Sequence, residues 1–179
     1  MDHLTYLEQN RALWNHWASL HPQSAFYNNA SFIEHQQSLH SIERDVLPNL
    51  KDKSVLHLQC HFGQDTISLA TLGATRVVGL DFSPEAIRQA TILNAACGTQ
   101  VSFIESDVLQ TLPHLENTFD VVFASYGVVG WHPSAKAWMD AAFHYLKPGG
   151  SLVLVDFHPV LWILDEEFKE IIKSLRSIE

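Results

Sequence analysis

The chain has 179 residues, 46% of them hydrophobic and 17% charged, which excludes a disordered chain and suits one domain with a real core. Acidic residues outnumber basic ones by 20 to 11, and the net charge of -9 disfavours partners such as nucleic acid and anionic membrane surfaces. With two cysteines, no basic N-terminal start and no apolar run of roughly 20 residues, we expect a cytoplasmic protein without disulfides, signal peptide or membrane span.

The N-terminal part of the chain predicts one helix followed by one loop. Residues 4–20 have apolar side chains at helical spacing, but they stand outside the alternating pattern that follows. Residues 21–30 have no periodicity and contain the aromatic pair Phe26 and Tyr27. We therefore interpret this part as an appended helix leading into a loop.

Five short apolar runs then alternate with helical segments. The runs are residues 54–58, 76–80, 101–104, 119–124 and 151–155. The helical patterns cover residues 66–72, a stretch that begins at Ser83-Pro84-Glu85, and residues 134–146. This alternation is typical of βαβ units and predicts a doubly wound α/β fold with a mainly parallel sheet that is buried on both faces. Right-handed crossovers bring the carboxyl ends of the strands to one edge, where ligands of such sheets bind.

Five motifs in this region resemble, in order and spacing, those of the class I S-adenosylmethionine-dependent methyltransferases. The motifs are residues 55–63, 80–87, 106–108, 119–123 and 146–150. The first contains His57-Leu58-Gln59-Cys60-His61-Phe62-Gly63 and is similar to a bacterial subgroup in which polar residues replace the usual glycines. The resemblance implies a Rossmann-like methyltransferase fold with strand order 3-2-1-4-5 and S-adenosylmethionine as the cofactor. It also divides the chain into an N-terminal helix and lid (1–45), a cofactor-binding core (46–160) and a C-terminal helix (161–179).

The resemblance implies cofactor-binding roles for residues that follow the first three strands. Gly63 lets the backbone approach the methionine carboxylate closely, at a helix start whose N–H groups favour an anion. Asp81 is placed to accept hydrogen bonds from both ribose hydroxyls. Asp107 and the Val108 backbone N–H are placed to bind the adenine edge, and Phe82 to pack on one adenine face.

Further cofactor contacts are implied near the fourth strand and in the lid. Ser125 and Tyr126 are expected beside the methionine arm and the reacting methyl group. Gln59 stands where the family usually has a glycine, so its side chain either contacts the cofactor or makes the cofactor bind slightly differently. Tyr27 belongs to the segment that, in the subgroup, resembles a cover that keeps water from the sulfonium.

The candidates for acid–base chemistry are His132, His158 and Tyr126. Each histidine is followed by a proline in a loop at the edge where ligands are expected. Methyl transfer is an in-line displacement, so alignment supplies most of the catalysis, and a base is needed only where the acceptor must lose a proton. His57 is interpreted as a buried histidine with a hydrogen-bond partner.

The sequence also bears on three other functions. A metal site at His57, Cys60 and His61 is disfavoured because no second ligand pair at a suitable spacing is present. A dinucleotide site is disfavoured because the Gly-x-Gly-x-x-Gly loop is absent. Methyl transfer to a small-molecule acceptor is the favoured function, and a non-catalytic or truncated S-adenosylmethionine-binding module is the alternative.

The C-terminal part raises the question of how the sheet ends. Residues 161–179 read as one amphipathic helix, so no run is left for the sixth and seventh strands of the family. The fifth strand is then an apolar edge without charge or proline to protect it. We expect a homodimer whose interface includes residues 161–175 or the fifth strand itself.

Overall fold

The computed structural model describes residues 3–158, 160, 161 and 164. The helices are α1 (His3–Leu20), α2 (Asn29–His35), α3 (Ser41–Val46), α4 (Gln64–Thr71), α5 (Pro84–Cys97) and α6 (Ala135–His144). The strands are β1 (Ser54–Leu58), β2 (Arg76–Asp81), β3 (Ser102–Glu105), β4 (Phe119–Ser125) and β5 (Leu146–Val155). Short 3-10 helices cover His21–Gln23, Pro113–Leu115 and Val129–Trp131. The four strands β1–β4 and helices α4–α6 begin within about two residues of where the sequence pattern predicts them.

The five strands form one sheet in the order β3-β2-β1-β4-β5, and every neighbouring pair is parallel. This confirms the predicted fold class and the predicted strand order. β1 lies at the centre, where Val55 pairs in register with Val77 of β2 and Val121 of β4. All five residues of β1 are buried, as expected for a strand covered on both faces.

Two apolar clusters lie on the two faces of the sheet because alternate side chains of a strand point in opposite directions. On one face, Leu56 and Leu58 pack in a cluster with Trp138 of α6. On the other face, Val55 packs in a cluster that includes Ile67 of α4. Burial of side chains of this size contributes roughly 1.5–3 kcal/mol each. The helices thus cover both faces, and the edge at the carboxyl ends of the strands is left for the site.

The N-terminal region is more helical than the sequence predicts. The predicted helix at residues 4–20 is confirmed as α1. α2 begins at Asn29, inside the loop predicted for residues 21–30, and α3 follows at Ser41, where no element is predicted. Asn28 begins α2 in the left-handed conformation, with φ 40°, and its side chain accepts a hydrogen bond from the Ser31 N–H. Helices of seven and six residues are too short to show a periodic pattern in the sequence.

The fifth strand begins at Leu146 rather than at the predicted residue 151. Leu146 pairs with Phe119, and Ser151 pairs with Val121, so the residues between them form an irregularity within the strand rather than a turn before it. The Lys147 ammonium lies 2.9 Å from Asp120 Oδ2, which also accepts hydrogen bonds from the backbone N–H and hydroxyl of Ser54 at 2.8 and 2.6 Å. Asp120 therefore links β1, β4 and β5, which agrees with its structural interpretation.

The predictions for the C-terminal end stay predictions. The expected helix over residues 161–179 lies outside the described residues, apart from positions 161 and 164. Within the described sheet β5 is an edge strand, which is the premise of the predicted homodimer, but no second chain is present to test it. Of the helices that the structure describes, none combines the length and the apolar character needed to cross a membrane.

Candidate functional site

A cavity of about 800 Å³ opens at the carboxyl edge of the sheet. This is near the upper end of the range of roughly 300–1,000 Å³ that is usual for ligand pockets. Its walls come from the ends of β1, β2 and β4, from the loop after β3, and from α1, α2 and the residues around them. The predicted cofactor-binding residues that line it are Tyr27, Gln59, Gly63, Asp81, Phe82, Asp107, Val108, Ser125 and Tyr126. The structure therefore brings all nine of them to one cavity.

The loop after β1 has an unusual backbone conformation, although Gln59 and His61 stand where the family that the motifs resemble usually has glycines. Gln59 and His61 both have left-handed conformations, with φ 54° and 50°. The Gln59 amide donates to the Val128 carbonyl at 3.1 Å and accepts from the Trp138 indole N–H at 2.7 Å. Both ends of this side chain are therefore engaged by the protein, and Gln59 anchors the first loop to the region after β4. The first motif uses side-chain hydrogen bonds to hold the backbone that glycine would allow.

Gly63 ends that loop and begins α4. It has φ 89°, and a Cβ added there would lie 2.7 Å from the Phe103 ring. A side chain at this position would therefore displace the Phe103 ring. Gly63 and the first residues of α4, Gln64 and Asp65, line the cavity. The N–H groups at a helix start favour an anion.

Asp81 at the end of β2 holds two loops together beneath the cavity. Its Oδ2 accepts a hydrogen bond from the His61 N–H at 2.8 Å, and its Oδ1 accepts one from the Ser83 N–H at 2.9 Å. The residue is only 6% exposed, and burial raises the pKa of this carboxyl to about 6 despite those hydrogen bonds. Ser83, not Asp81, caps α5, because its hydroxyl accepts from the Ala86 N–H. Asp81 thus remains available to a ligand through its other lone pairs.

The loop after β3 forms the opposite end of the cavity. The Asp107 carboxylate accepts a hydrogen bond from the Leu109 N–H at 3.0 Å, and Val108 is buried. His132 lies near this end: burial lowers the pKa of its imidazole, and the charge of Asp107 opposes that shift. Neither ring nitrogen of His132 has a partner among the residues that the structure describes.

The end of β4 places Ser125 and Tyr126 in a different part of the cavity. The Ser125 hydroxyl donates to Asp65 at 2.9 Å, and Asp65 also accepts from the Ser38 hydroxyl at 2.5 Å. Tyr126 has φ 50°, and its backbone N–H donates to the Val155 carbonyl at 2.7 Å. His158, in contrast, is exposed and does not line the cavity.

The N-terminal segment covers the cavity through aromatic contacts. The ring of Tyr27 packs edge-on against Phe62 with centroids 4.7 Å apart, and its carbonyl accepts from the Gln64 amide at 2.9 Å. Phe26 is 87% exposed, so Tyr27 rather than Phe26 fastens the segment to the core. His21 and His61 meet through their ring nitrogens at 2.9 Å.

Several residues of the site were not found from the sequence. The contacts of Asp65 with Ser38 and Ser125 join segments that lie 27 and 60 residues apart in the chain. One signal in the sequence could have pointed to Asp65, namely the polar pair Gln64-Asp65 directly after Gly63. When the start of a helix faces a ligand, the first residues of that helix lie close to the ligand as well.

We expect a loss of stability in acid from two histidines, the buried His57 and the partly buried His61. His57 shares a hydrogen bond of 2.9 Å with the Thr66 hydroxyl, and burial lowers the pKa of His57 to about 4 and that of His61 to about 3. Unfolding restores a pKa near 6.5, so the unfolded chain binds more protons as the pH falls from about 6.5 towards 4, and the free energy of unfolding falls with it. At pH 5 the expected loss is about 2 kcal/mol for each histidine relative to pH 7. Asp81, with its raised pKa, opposes only part of this loss between about pH 6 and 4.

Urea unfolding at pH 7 and pH 5 measures this effect. The variant His57→Gln, which removes one titrating ring, should lose about 2 kcal/mol less than the parent between the two pH values. The matched control His114→Gln alters an exposed histidine and should behave as the parent does. Equal losses in the parent and in His57→Gln would contradict the assignment.

The described residues offer a metal ion no ready site. Across residues 3–158 and the three further described positions, no group of three or more His, Cys, Asp or Glu side chains could hold one.

Comparison with known proteins identifies the family. Residues 55–150 match the family described as "Methyltransferase domain", and the match covers more than half of the chain. The chain belongs to this family, whose members are S-adenosylmethionine-dependent methyltransferases with S-adenosylmethionine as cosubstrate.

Individual relatives agree with this assignment. The chain is 37% identical over 130 residues to an uncharacterized methyltransferase, sll0829, of Synechocystis sp., a match that covers 72% of this chain and 58% of that protein. It is 36% identical over 83 residues to a demethylmenaquinone methyltransferase of Thermus thermophilus, covering 46% of this chain and 37% of the relative. A structure of phosphoethanolamine N-methyltransferase 1 from Haemonchus contortus matches 98% of this chain and 37% of its own with a TM-score of 0.66; at 19% identity it shows the fold alone. The chain thus spans about half the length of its relatives.

Proposed function

We propose that this chain binds S-adenosylmethionine in the cavity at the sheet edge and transfers its methyl group to a small-molecule acceptor. The observation that carries the proposal is the convergence of Gly63, Asp81, Asp107 and Tyr126, from four separate strand ends, on one cavity. A small-molecule acceptor is supported by the relative from Thermus thermophilus, which is a demethylmenaquinone methyltransferase.

Each part of the cofactor has a matching wall. The start of α4 after Gly63 favours the methionine carboxylate, and the Asp81 carboxylate accepts from the ribose hydroxyls. Asp107 and the Val108 N–H bind the adenine edge, with Phe82 against the ring face. This order directs the sulfonium towards Ser125 and Tyr126. Tyr27 and the rest of the N-terminal cover exclude water from it.

The chemistry needs little more than alignment. The acceptor lone pair forms a bond to the methyl carbon while the carbon–sulfur bond breaks, and the sulfonium becomes a neutral thioether. Holding the two reactants in line supplies most of the rate. Among the proposed acid–base residues, Tyr126 lies nearest to the expected position of the methyl group. His132 stands at the adenine end, and His158 lies outside the cavity.

Isothermal titration with S-adenosylhomocysteine, the demethylated product, tests the binding half of the proposal. We expect one site with a dissociation constant in the micromolar range, and the absence of binding would contradict the proposal. Mass spectrometry of a panel of small acceptors incubated with S-adenosylmethionine then separates an enzyme from a non-catalytic binding module. Tight binding without any methylated product would favour the module.

A further inference from the structure

Two phenylalanine rings at the cavity remain open to solvent. Phe26 is 87% exposed and Phe157 is 46% exposed, and both residues line the cavity. A third exposed phenylalanine, Phe143 of α6, does not line it. Covering an exposed aromatic ring removes apolar surface from water, which is favourable. Phe26 and Phe157 therefore give the cavity a surface that favours apolar ligands.

Each of these phenylalanines packs against a tyrosine that also lines the cavity. The Phe26 ring stands edge-on to Tyr27 with the centroids 5.0 Å apart, and the Phe157 ring is tilted against Tyr126 at 5.4 Å. We call these four residues the two Phe–Tyr pairs. One pair belongs to the N-terminal cover, and the other follows the ends of β4 and β5. Rings in tilted and edge-on arrangements leave faces and edges against which a further ring can pack.

Both pairs reach the cavity next to the start of α4. The Tyr27 carbonyl accepts a hydrogen bond from the Gln64 amide at 2.9 Å. Ser125, which directly precedes Tyr126, donates its hydroxyl to Asp65 at 2.9 Å. Gln64 and Asp65 are the first two residues of α4, where the proposed function places the methionine end of the cofactor. The two pairs thus lie on the side of the cavity where an acceptor would meet the reacting methyl group.

The position of Phe157 is fixed by the residue that precedes it. The Asp156 carboxylate accepts hydrogen bonds from the Gly127 N–H and, at 3.2 Å, from the Val129 N–H. The Phe157 ring lies over Gly127, 3.9 Å from the place where a Cβ would stand. These contacts join the residues after β5 to the loop after β4. The ring is therefore held in place before a ligand arrives, which lowers the entropy cost of binding.

The charges of the cavity disfavour an ionic acceptor. Asp65, Asp81 and Asp107 line the cavity, and no described lysine or arginine does. In the proposed function these three carboxylates face the methionine end, the ribose and the adenine of the cofactor. An anionic acceptor would find no basic partner, and a cationic one would approach a sulfonium of the same sign. An uncharged acceptor avoids both costs.

We propose that the two Phe–Tyr pairs form the acceptor subsite and that the acceptor is an uncharged aromatic molecule. This rests on the proposed function and names its substrate class. The acceptor ring packs against Phe26 and Phe157 and is held there beside the methyl group. Packing between aromatic rings raises affinity roughly 2- to 10-fold beyond the gain from buried area alone.

The compound 2-naphthol is a suitable probe because it is aromatic and uncharged. In calorimetric titrations of the chain saturated with S-adenosylhomocysteine, we expect one site for 2-naphthol. Phe26→Leu and Phe157→Leu keep an apolar side chain but remove the ring. Each should weaken 2-naphthol binding about 3- to 10-fold and leave S-adenosylhomocysteine binding unchanged. The matched control Phe143→Leu, at a ring that is 57% exposed and lies outside the cavity, should change neither affinity.

Three further probes of similar outline test the substrate class. They are the anion 2-naphthoate, the cation 2-naphthylmethylammonium and the uncharged, saturated decahydro-2-naphthol. Each charged probe should bind the parent about tenfold or more weakly than 2-naphthol does, and the saturated one about threefold or more weakly. A charged probe that binds as tightly as 2-naphthol would overturn the assignment to an uncharged molecule. Equal binding of decahydro-2-naphthol would overturn the assignment to an aromatic one.

The remaining results separate the subsite from the proposed function. If S-adenosylhomocysteine binds the parent but 2-naphthol does not, the subsite is wrong while the proposed function stands. The same holds if Phe26→Leu and Phe157→Leu bind 2-naphthol as the parent does, or if they weaken both ligands together. If S-adenosylhomocysteine does not bind the parent chain, the proposed function fails, and the subsite fails with it.

Discussion

Replacing Asp81 by alanine is expected to weaken binding of S-adenosylhomocysteine by about 2–3 kcal/mol, which is roughly a 30- to 150-fold rise in the dissociation constant. The substitution removes the buried carboxylate and, with it, both of the charged hydrogen bonds that we propose it makes to the ribose. The backbone N–H groups of His61 and Ser83, which bond to this carboxyl at 2.8 and 2.9 Å, also lose their acceptor. Titration above pH 6, where the carboxyl is ionised, measures the effect.

The control must separate the ribose contact from the support of the two loops. An asparagine is a poor substitute here, because its amide N–H₂ would face one of two backbone donors. A change in the ligand is a better control. The parent should bind 2′-deoxy-S-adenosylhomocysteine less tightly than it binds the complete ligand. Asp81→Ala should bind the two ligands equally well. If the deoxy ligand loses the same affinity in both proteins, Asp81 supports the loops and does not contact the ribose.

The sequence predicts the sheet well because each strand carries its own signal. The apolar run at 54–58 coincides with β1, and the capping sequence Ser83-Pro84-Glu85 marks the start of α5. These patterns report local structure, since burial on both faces and helix capping are decided within a few residues. For the same reason the motif positions Asp81, the last residue of β2, and Gly63, in the loop between β1 and α4, could be placed at the cavity in advance.

The remainder of the site depends on contacts that no local pattern encodes. Gln59 bonds to Trp138 across 79 positions of the chain, and His21 meets His61 across 40. Glu43 lies in a six-residue helix and looks like an ordinary charged residue in the sequence, although it is fully buried. The composition of such a segment predicts exposure, and only the tertiary structure shows which polar side chain is turned inward.

Replacing Gly63 by alanine is expected to lower the free energy of unfolding by about 2–4 kcal/mol. Part of the cost is the left-handed backbone, with φ 89°, and the rest is the new Cβ, which would lie 2.7 Å from Phe103 Cζ and 3.1 Å from Ala90 Cβ. Gly98→Ala separates the two terms, because Gly98 has φ 66° but nothing within 4 Å of its added Cβ, so it should cost only about 1 kcal/mol.

The clash itself is tested by shortening its partner. In a Phe103→Leu background the ring is gone and the 3.1 Å approach to Ala90 Cβ remains. Gly63→Ala should therefore cost less there than in the parent, with a coupling of about 1–2 kcal/mol between residues 63 and 103 in urea unfolding. An unchanged cost in that background would mean that the backbone conformation alone requires glycine. Because residue 63 lines the cavity at the start of α4, S-adenosylhomocysteine should bind Gly63→Ala less tightly and bind Gly98→Ala as it binds the parent.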